Sequence, residues 1–114
     1  MTNIVINYKN NNIVSFEISG HTGYEDFGKD ILCASISSIS QSAVLGITKV
    51  LNIKATVQKN DQKGYLKMVL PKEMTKDEME KTQILLKTME MSLKDLLFDY
   101  GDYINLEVKN IWQF

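Results

Sequence analysis

Residues 20–33 read GHTGYEDFGKDILC, and the period of the hydrophobic pattern changes across them. Before this segment apolar and polar residues alternate, as in a half-buried strand. After it apolar residues recur at three- and four-residue steps, as on one face of a helix. Glycines indicate a loop over residues 20–29, and Asp30 is predicted to cap the helix that follows. The segment is therefore predicted to join a β-hairpin to a long helix.

The hairpin is predicted from two alternating runs, residues 3–8 and 14–19. The stretch between them is rich in asparagine, which tolerates left-handed backbone angles and so favours a turn. Downstream of Asp30, the helix is predicted to run to about Leu51. Its apolar face consists of Leu32, Ile36, Ile39, Ala43, Ile47 and Val50.

The second half of the chain has the same predicted order of elements, two strands followed by a helix. Residues 53–57 and 65–70 are predicted strands, with a polar turn over residues 60–64. Thr75 and Glu78 have the spacing of a capping box, which starts a second helix that ends near Gly101. Its apolar face comprises Met79, Leu86, Met89, Leu93, Leu96 and Tyr100. A last strand is predicted over residues 104–108.

The element order ββαββαβ predicts an α+β fold, in one domain spanning residues 1–114. We expect a two-layer sandwich, with a mixed β-sheet of four to five strands and two long helices packed on one face.

Composition narrows the possible partners and compartment. The formal net charge is −1 and all 13 basic residues are lysine, so direct nucleic acid binding is not expected. No apolar run approaches the roughly 20 residues of a membrane span, and the N-terminus lacks a signal pattern. A single cysteine fits a reducing compartment. The prediction is a cytoplasmic protein without membrane contact, metal or cofactor.

His21 and Cys33 are the only histidine and the only cysteine in the chain. If they meet, they form a nucleophile and base pair of the cysteine-hydrolase kind. With Asp30 as the N-cap, Cys33 is the third helical residue, where the helix dipole favours a thiolate and first-turn amides could hold an oxyanion. Asp30 either caps the helix or orients His21, and Ser37 is assigned a supporting role.

The loop between His21 and the helix is a candidate flap that closes over a bound peptide. Its composition is glycine at both ends with aromatic and acidic residues between them. The substrate-binding residues predicted there are Gly20, Gly23, Tyr24, Phe27 and Gly28.

A second interpretation of Cys33 stays open, since a lone cysteine in a helix is often a small buried apolar residue.

The pattern of Gly20-His21, Gly28, Asp30-Ile31, Cys33-Ala34 and Ser37 resembles the ribosomal-processing cysteine protease family, Prp. Length and element order fit over the whole chain, whereas the Gly-His and Asp-x-x-Cys elements are the specific part. Ser35 departs mildly from the pattern, because a small apolar residue is expected there more often.

The resemblance implies a small cytosolic homodimeric endopeptidase. It would remove the N-terminal extension of large-subunit ribosomal protein number twenty-seven, cutting after a phenylalanine. Cys33 would be the nucleophile, His21 the base, and Asp30 and Ser37 would lie close to them. Two alternatives are a non-catalytic ribosome-assembly factor that binds a ribosomal protein, and a thiol redox sensor built on Cys33.

Overall fold

The computed structural model describes residues 1–20 and 26–111, with only the backbone described for residues 26–30. The strands of this part are β1 (Thr2–Lys9), β2 (Asn12–Ser19), β3 (Thr56–Asn60), β4 (Tyr65–Val69) and β5 (Ile104–Asn110). The helices are α1 (Asp26–Leu45), which continues as a π-helical turn (Gly46–Val50), and α2 (Lys76–Tyr100). The predicted order ββαββαβ is confirmed.

The five strands form one mixed sheet in the order β3-β4-β2-β1-β5. β1 pairs in parallel with β5, while the other neighbouring strands are antiparallel. Side chains from the sheet, such as Ile6 and Phe16, share one buried cluster with Leu32 of α1 and Leu86 of α2. The two-layer α+β sandwich predicted from the sequence is therefore confirmed.

The β1–β2 hairpin contains a bulge that ties it to α2. Asn10 and Asn11 make the turn with φ angles of 51° and 67°, as asparagine allows. The register then shifts, because Asn7 pairs with Ser15 whereas Tyr8 pairs with Ile13. The side-chain amide of Gln83 accepts from the Ile13 amide at 2.6 Å and donates to the Ile13 carbonyl at 2.8 Å. A buried glutamine thus satisfies backbone groups at the irregularity.

The N-terminal end of α1 differs from the prediction. The helix begins at Asp26, so Asp30 lies inside it and is not the N-cap. The prediction treated Gly28 as a helix breaker, but one internal glycine costs only about 1 kcal/mol relative to alanine. Tertiary packing of the following turns can outweigh that amount.

Two further boundaries were wrong for local reasons. Val50 was assigned to the buried face but is 77% exposed, because the π-helical turn places an extra residue in the last turn and rotates it outward. β3 begins at Thr56 and not at Ile53. The side chain of Ile53 is buried outside the sheet, and its amide donates to the Ile47 carbonyl at the end of the helix.

α2 begins and ends at the predicted residues, but the conformation of its C-cap differs from the usual glycine stop. Thr75 and Glu78 form the capping box, with bonds of 2.9 Å and 3.1 Å between side chains and amides. Gly101 follows the helix with φ −58° and ψ −25°, so it does not adopt the left-handed stop conformation. A β-carbon there would lie 2.8 Å from the Leu97 carbonyl oxygen, so close packing gives a reason for glycine at this position.

The segment Ile31–Val50 is long and apolar enough to cross a membrane by length and composition alone. The sequence-based statement that no such run exists was therefore wrong. Core helices of soluble proteins meet the same criterion, and here Leu32, Ile36 and Ala43 lie in the buried cluster against the sheet.

A buried carboxylate joins α2 to β1. Glu90 is 6% exposed; it accepts a hydrogen bond from the Tyr8 hydroxyl and pairs with Lys94 at 2.7 Å. Burial and the hydrogen bond to Glu90 raise the pKa of Tyr8 to about 12. Burial alone would raise the pKa of Glu90, but hydrogen bonds from Lys94 and Tyr8 lower it overall.

Replacing Glu90 with alanine should lower the free energy of unfolding by about 1–3 kcal/mol, because the Tyr8 hydroxyl loses its acceptor. Urea denaturation at pH 7 measures this. Since the folded pKa of Glu90 is lowered, its carboxylate stabilises the fold above the unfolded value and loses this effect as the pH falls through the folded pKa. The difference in the free energy of unfolding between wild type and Glu90→Ala should therefore become smaller at acidic pH.

Glu80→Ala is the matched control, because Glu80 lies on the exposed side of the same helix. It should change stability by no more than about 0.5 kcal/mol. Equal losses for the two variants would contradict a structural role for the buried carboxylate.

Candidate active site

Cys33 lies on α1 beside a cavity of about 320 Å³. The thiol is half-buried and is not part of a disulfide. One wall of the cavity is α1 itself, with Cys33, Ser37 and Gln41, and the opposite side is formed by the ends of β1 and β2 and by the β3–β4 hairpin. The thiol therefore lines a space that a peptide side chain or main chain can enter.

The orientation of α1 follows from its buried face. Leu32 is 1% exposed and Ile36 is 4% exposed, and both pack into the core. Cys33, Ser37 and Gln41 follow each other at four-residue steps, so they share the neighbouring face of the helix. Burial of the leucine and isoleucine therefore directs these three polar side chains toward the cavity.

Gly20 lines the same cavity, and only glycine fits there. Its φ angle is +91°, and an added β-carbon would lie 2.7 Å from the carbonyl oxygen of Met1. Gly20 directly precedes His21 in the chain. The close backbone contact between the N-terminus and the end of β2 thus sets the position from which the chain leads into His21.

A chain of hydrogen bonds along the cavity wall starts at Ser37. Gln41 donates from Nε2 to the Ser37 hydroxyl oxygen at 2.6 Å, and Lys59 of β3 donates to Gln41 Oε1 at 3.0 Å. Lys59 also pairs with Asp61 in the hairpin turn at 3.5 Å. Sequence reasoning missed Gln41, Lys59 and Asp61. The spacing of Gln41 from Cys33 could have found the first, whereas the hairpin residues reach the cavity only through the tertiary structure.

Tyr65 also lines the cavity, and its hydroxyl donates to Glu17 Oε2 at 2.7 Å. The hydrogen bond to Glu17, together with burial, raises the pKa of Tyr65 above its usual value. Tyr65 therefore remains protonated at neutral pH and cannot serve as a base for the thiol.

The predicted site residues have different outcomes. Cys33, Ser37 and Gly20 line one cavity. His21, Gly23 and Tyr24 lie outside the described residues, as do the side chains of the segment 26–30. The predicted pairing of His21 with Cys33 and the predicted role of the Asp30 side chain therefore lie outside the described residues.

Two predictions about the loop and the helix terminus were wrong. Phe27 and Gly28 were assigned to a loop but belong to α1. Because the helix starts at Asp26, Cys33 follows its first residue by seven positions, about 10 Å along the axis. The dipole effect falls off within the first turn, so the first-turn amides cannot hold an oxyanion at Cys33.

Among residues 1–20 and 31–111, no group of three or more His, Cys, Asp or Glu side chains is placed to hold a metal ion.

A half-buried cysteine in a cleft fits several thiol chemistries, and comparison with known proteins decides between them. The family described as cysteine protease Prp matches residues 1–105. The chain belongs to this family. The assignment as a cysteine protease made from the sequence motif is therefore confirmed, and a Prp fold is expected throughout the chain.

Relatives of this Prp chain agree with the assignment. It is 28% identical over 96 residues to the ribosomal processing cysteine protease Prp of Bacillus subtilis, covering 84% of each chain. Its fold matches SMU.848 from Streptococcus mutans with a TM-score of 0.84 at 22% identity, covering 97% and 96% of the two chains.

It also matches Prp of Staphylococcus aureus, solved with a covalently linked product peptide. The TM-score is 0.82 at 22% identity, with 96% of this chain and 100% of the other covered.

Gly20→Ala should destabilise this Prp by about 1–3 kcal/mol, because the β-carbon would meet the Met1 carbonyl oxygen at an unfavourable φ. Thermal unfolding measures the loss. Ser19→Ala is the control at the adjacent position in β2 and should leave the melting temperature nearly unchanged. A wild-type melting curve for Gly20→Ala would show that the close contact is unimportant.

Proposed function

We propose that this protease removes the N-terminal extension of large-subunit ribosomal protein number twenty-seven and so supports ribosome assembly. The observation that carries the proposal is the cavity beside Cys33, which offers the only thiol of the chain to an entering peptide. The Bacillus subtilis relative is named a ribosomal processing protease, and the Staphylococcus aureus protein was solved with a substrate peptide. Both support a ribosomal protein as the substrate.

The proposed reaction uses Cys33 as nucleophile and His21 as base. His21 takes the thiol proton, and the sulfur attacks the scissile carbonyl carbon. The carbon–nitrogen bond then breaks, and the amine leaves with the proton held by His21. A water molecule hydrolyses the thioester, which releases the carboxylate and regenerates the thiol. Asp30 and Ser37 have supporting roles in this proposal.

Cys33→Ala should abolish cleavage of the extended ribosomal protein, because no sulfur remains to form the thioester. His21→Ala should lower cleavage nearly as much, since thiol and amine then lack their proton carrier. Mass spectrometry of the extended protein before and after incubation measures the loss of the extension.

Ser38→Ala is the matched control, because Ser38 is exposed on α1 and does not line the cavity. Circular dichroism should show all three variants folded. Full cleavage by folded Cys33→Ala would refute the proposed chemistry. Retained binding without any wild-type turnover would instead favour the non-catalytic assembly factor.

We also propose that the protein acts in the cytoplasm, without direct contact with nucleic acid or membrane. Its net charge of −1 and the lack of arginine support the absence of nucleic acid contact. Burial of Leu32, Ile36 and Ala43 in the core supports the absence of membrane contact for α1. Ribosome assembly takes place in the same compartment, so the enzyme would meet its substrate there.

The proposed assembly is a homodimer formed through the outer face of α2. Ile84, Met91 and Phe98 recur every seven residues and are 69%, 65% and 86% exposed. Residues seven positions apart lie on nearly the same side of a helix, so these side chains form an apolar stripe that a second helix can cover. If two copies cross antiparallel about Met91, Ile84 lies opposite the partner's Phe98 and Lys87 opposite the partner's Asp95. The Lys87 and Asp95 pairs thus make the proposed contact complementary to itself in charge.

Met91→Lys should shift the protein to monomer in light scattering after size exclusion, because it places like charges at the centre of the contact. Val50→Lys is the control, since Val50 is also exposed but lies in the π-helical turn that follows α1. Lys87→Asp should weaken the dimer, and adding Asp95→Lys should restore it. A dimer unaffected by any of these changes would place the interface elsewhere.

A further inference from the structure

We infer that Gln41 and Lys59 are positioning residues that fix the Ser37 hydroxyl as a hydrogen-bond donor to the peptide bound beside Cys33. This inference rests on the proposed protease function. It assigns a substrate-binding role to a part of the cavity wall that comes from the β3–β4 hairpin.

The direction of each hydrogen bond follows from donor and acceptor chemistry. The Lys59 ammonium group can only donate, so the atom of Gln41 facing it must be the carbonyl oxygen. The amide nitrogen of Gln41 must then face Ser37, and it donates to the hydroxyl oxygen at 2.6 Å. Lys59 therefore fixes the orientation of the Gln41 amide. Without such a donor the orientation would be ambiguous, because the oxygen and nitrogen of an amide are hard to tell apart.

The orientation of the Gln41 amide determines how the Ser37 hydroxyl can form hydrogen bonds. Its oxygen accepts from Gln41, and its own hydrogen remains available for an acceptor. Two other serines of α1 donate that hydrogen to the helix backbone: Ser35 to the Ile31 carbonyl and Ser40 to the Ile36 carbonyl. Within the part of the chain that the structure describes, the hydroxyl of Ser37 acts only as an acceptor.

The location of Ser37 identifies the acceptor it would meet. It lines the same cavity as Cys33 and lies one helical turn further along the same face. A peptide presenting its scissile bond to the sulfur would pass beside this hydroxyl. Main-chain carbonyls are the acceptors that every peptide brings, so a carbonyl next to the scissile bond is the expected partner.

The ion pair between Lys59 and Asp61 lies at the end of the hydrogen-bond series that is farthest from Ser37. Its side chains are 42% and 80% exposed, so the ion pair contributes little to stability. Its effect is to keep the ammonium group at the Gln41 oxygen. The hairpin is thereby linked to α1 across the cavity through a contact whose main role is orientation.

The decisive variant is Gln41→Glu. A carboxylate can still accept from Lys59, but it cannot donate to Ser37, so the hydroxyl turns to donate to the carboxylate and its hydrogen leaves the cavity. We expect KM for the extended ribosomal-protein peptide to rise about tenfold, with kcat changed less than about threefold. Fluorescence anisotropy with the Cys33→Ala protein should show a matching rise in Kd.

Three companion variants separate orientation from general damage. Ser37→Ala should raise KM to a similar extent, and adding Gln41→Glu to it should cause no further change. Lys59→Met should raise KM several-fold, because the amide can then rotate, whereas Lys59→Arg should retain most of the binding. Thermal unfolding should show all of these proteins folded at the assay temperature.

The outcomes distinguish this inference from the proposed function. Wild-type KM in Gln41→Glu, or effects of Gln41→Glu and Ser37→Ala that multiply, would overturn the inference while leaving the protease intact. A wild-type protein that neither binds nor cleaves the peptide would refute the proposed function, and the inference with it.

Discussion

Burial of one face of α1 against the sheet is the constraint on which the cavity depends. Leu32 and Ile36 are almost completely buried, and together they fix the rotation of the helix about its axis. Each residue of a helix is turned by about 100° from the one before it, so the residue after Leu32 must face sideways. Cys33 therefore lies at the cavity because its apolar neighbour fills the core.

The second helix is held by polar contacts within an apolar interface. Gln83 satisfies both backbone groups of Ile13 at the bulge, and Glu90 accepts from Tyr8 of β1. Buried polar groups contribute to specificity because a shifted helix would leave them without partners. These bonds define how α2 sits on the hairpin, while the apolar contacts supply the driving force for packing. The outer stripe around Met91 then faces away from the core.

The site combines segments that are distant in the chain. Gly20 closes the end of β2, α1 brings Cys33, Ser37 and Gln41, and the β3–β4 hairpin adds Lys59. Each segment meets a different local requirement. The close backbone contact at the end of β2 requires glycine, whereas side chains on one face of α1 must be spaced about four residues apart. Membership in the cysteine protease Prp family gives this arrangement its chemical meaning, because the cavity contains the thiol on which such an enzyme depends.

The sequence by itself determined the features that arise from contacts within about four residues. Strand alternation and helical periodicity predicted the order of the elements and the fold class, and Thr75 and Glu78 predicted the start of α2. Cys33 and His21 were identified as candidate catalytic residues because each residue type occurs only once in the sequence. Where short-range signals competed with packing, prediction failed, as at the start of α1 and the outward turn of Val50.

Only the tertiary structure decided what lies opposite the thiol. Gln41 and Lys59 are separated by 18 positions, and no local pattern links a helix face to a strand that lies across a cavity. The close contact of Gly20 with Met1 likewise depends on how β1 and β2 meet at their ends. Short-range propensities act within a turn or a strand, whereas the relative placement of elements is set by burial of the whole core.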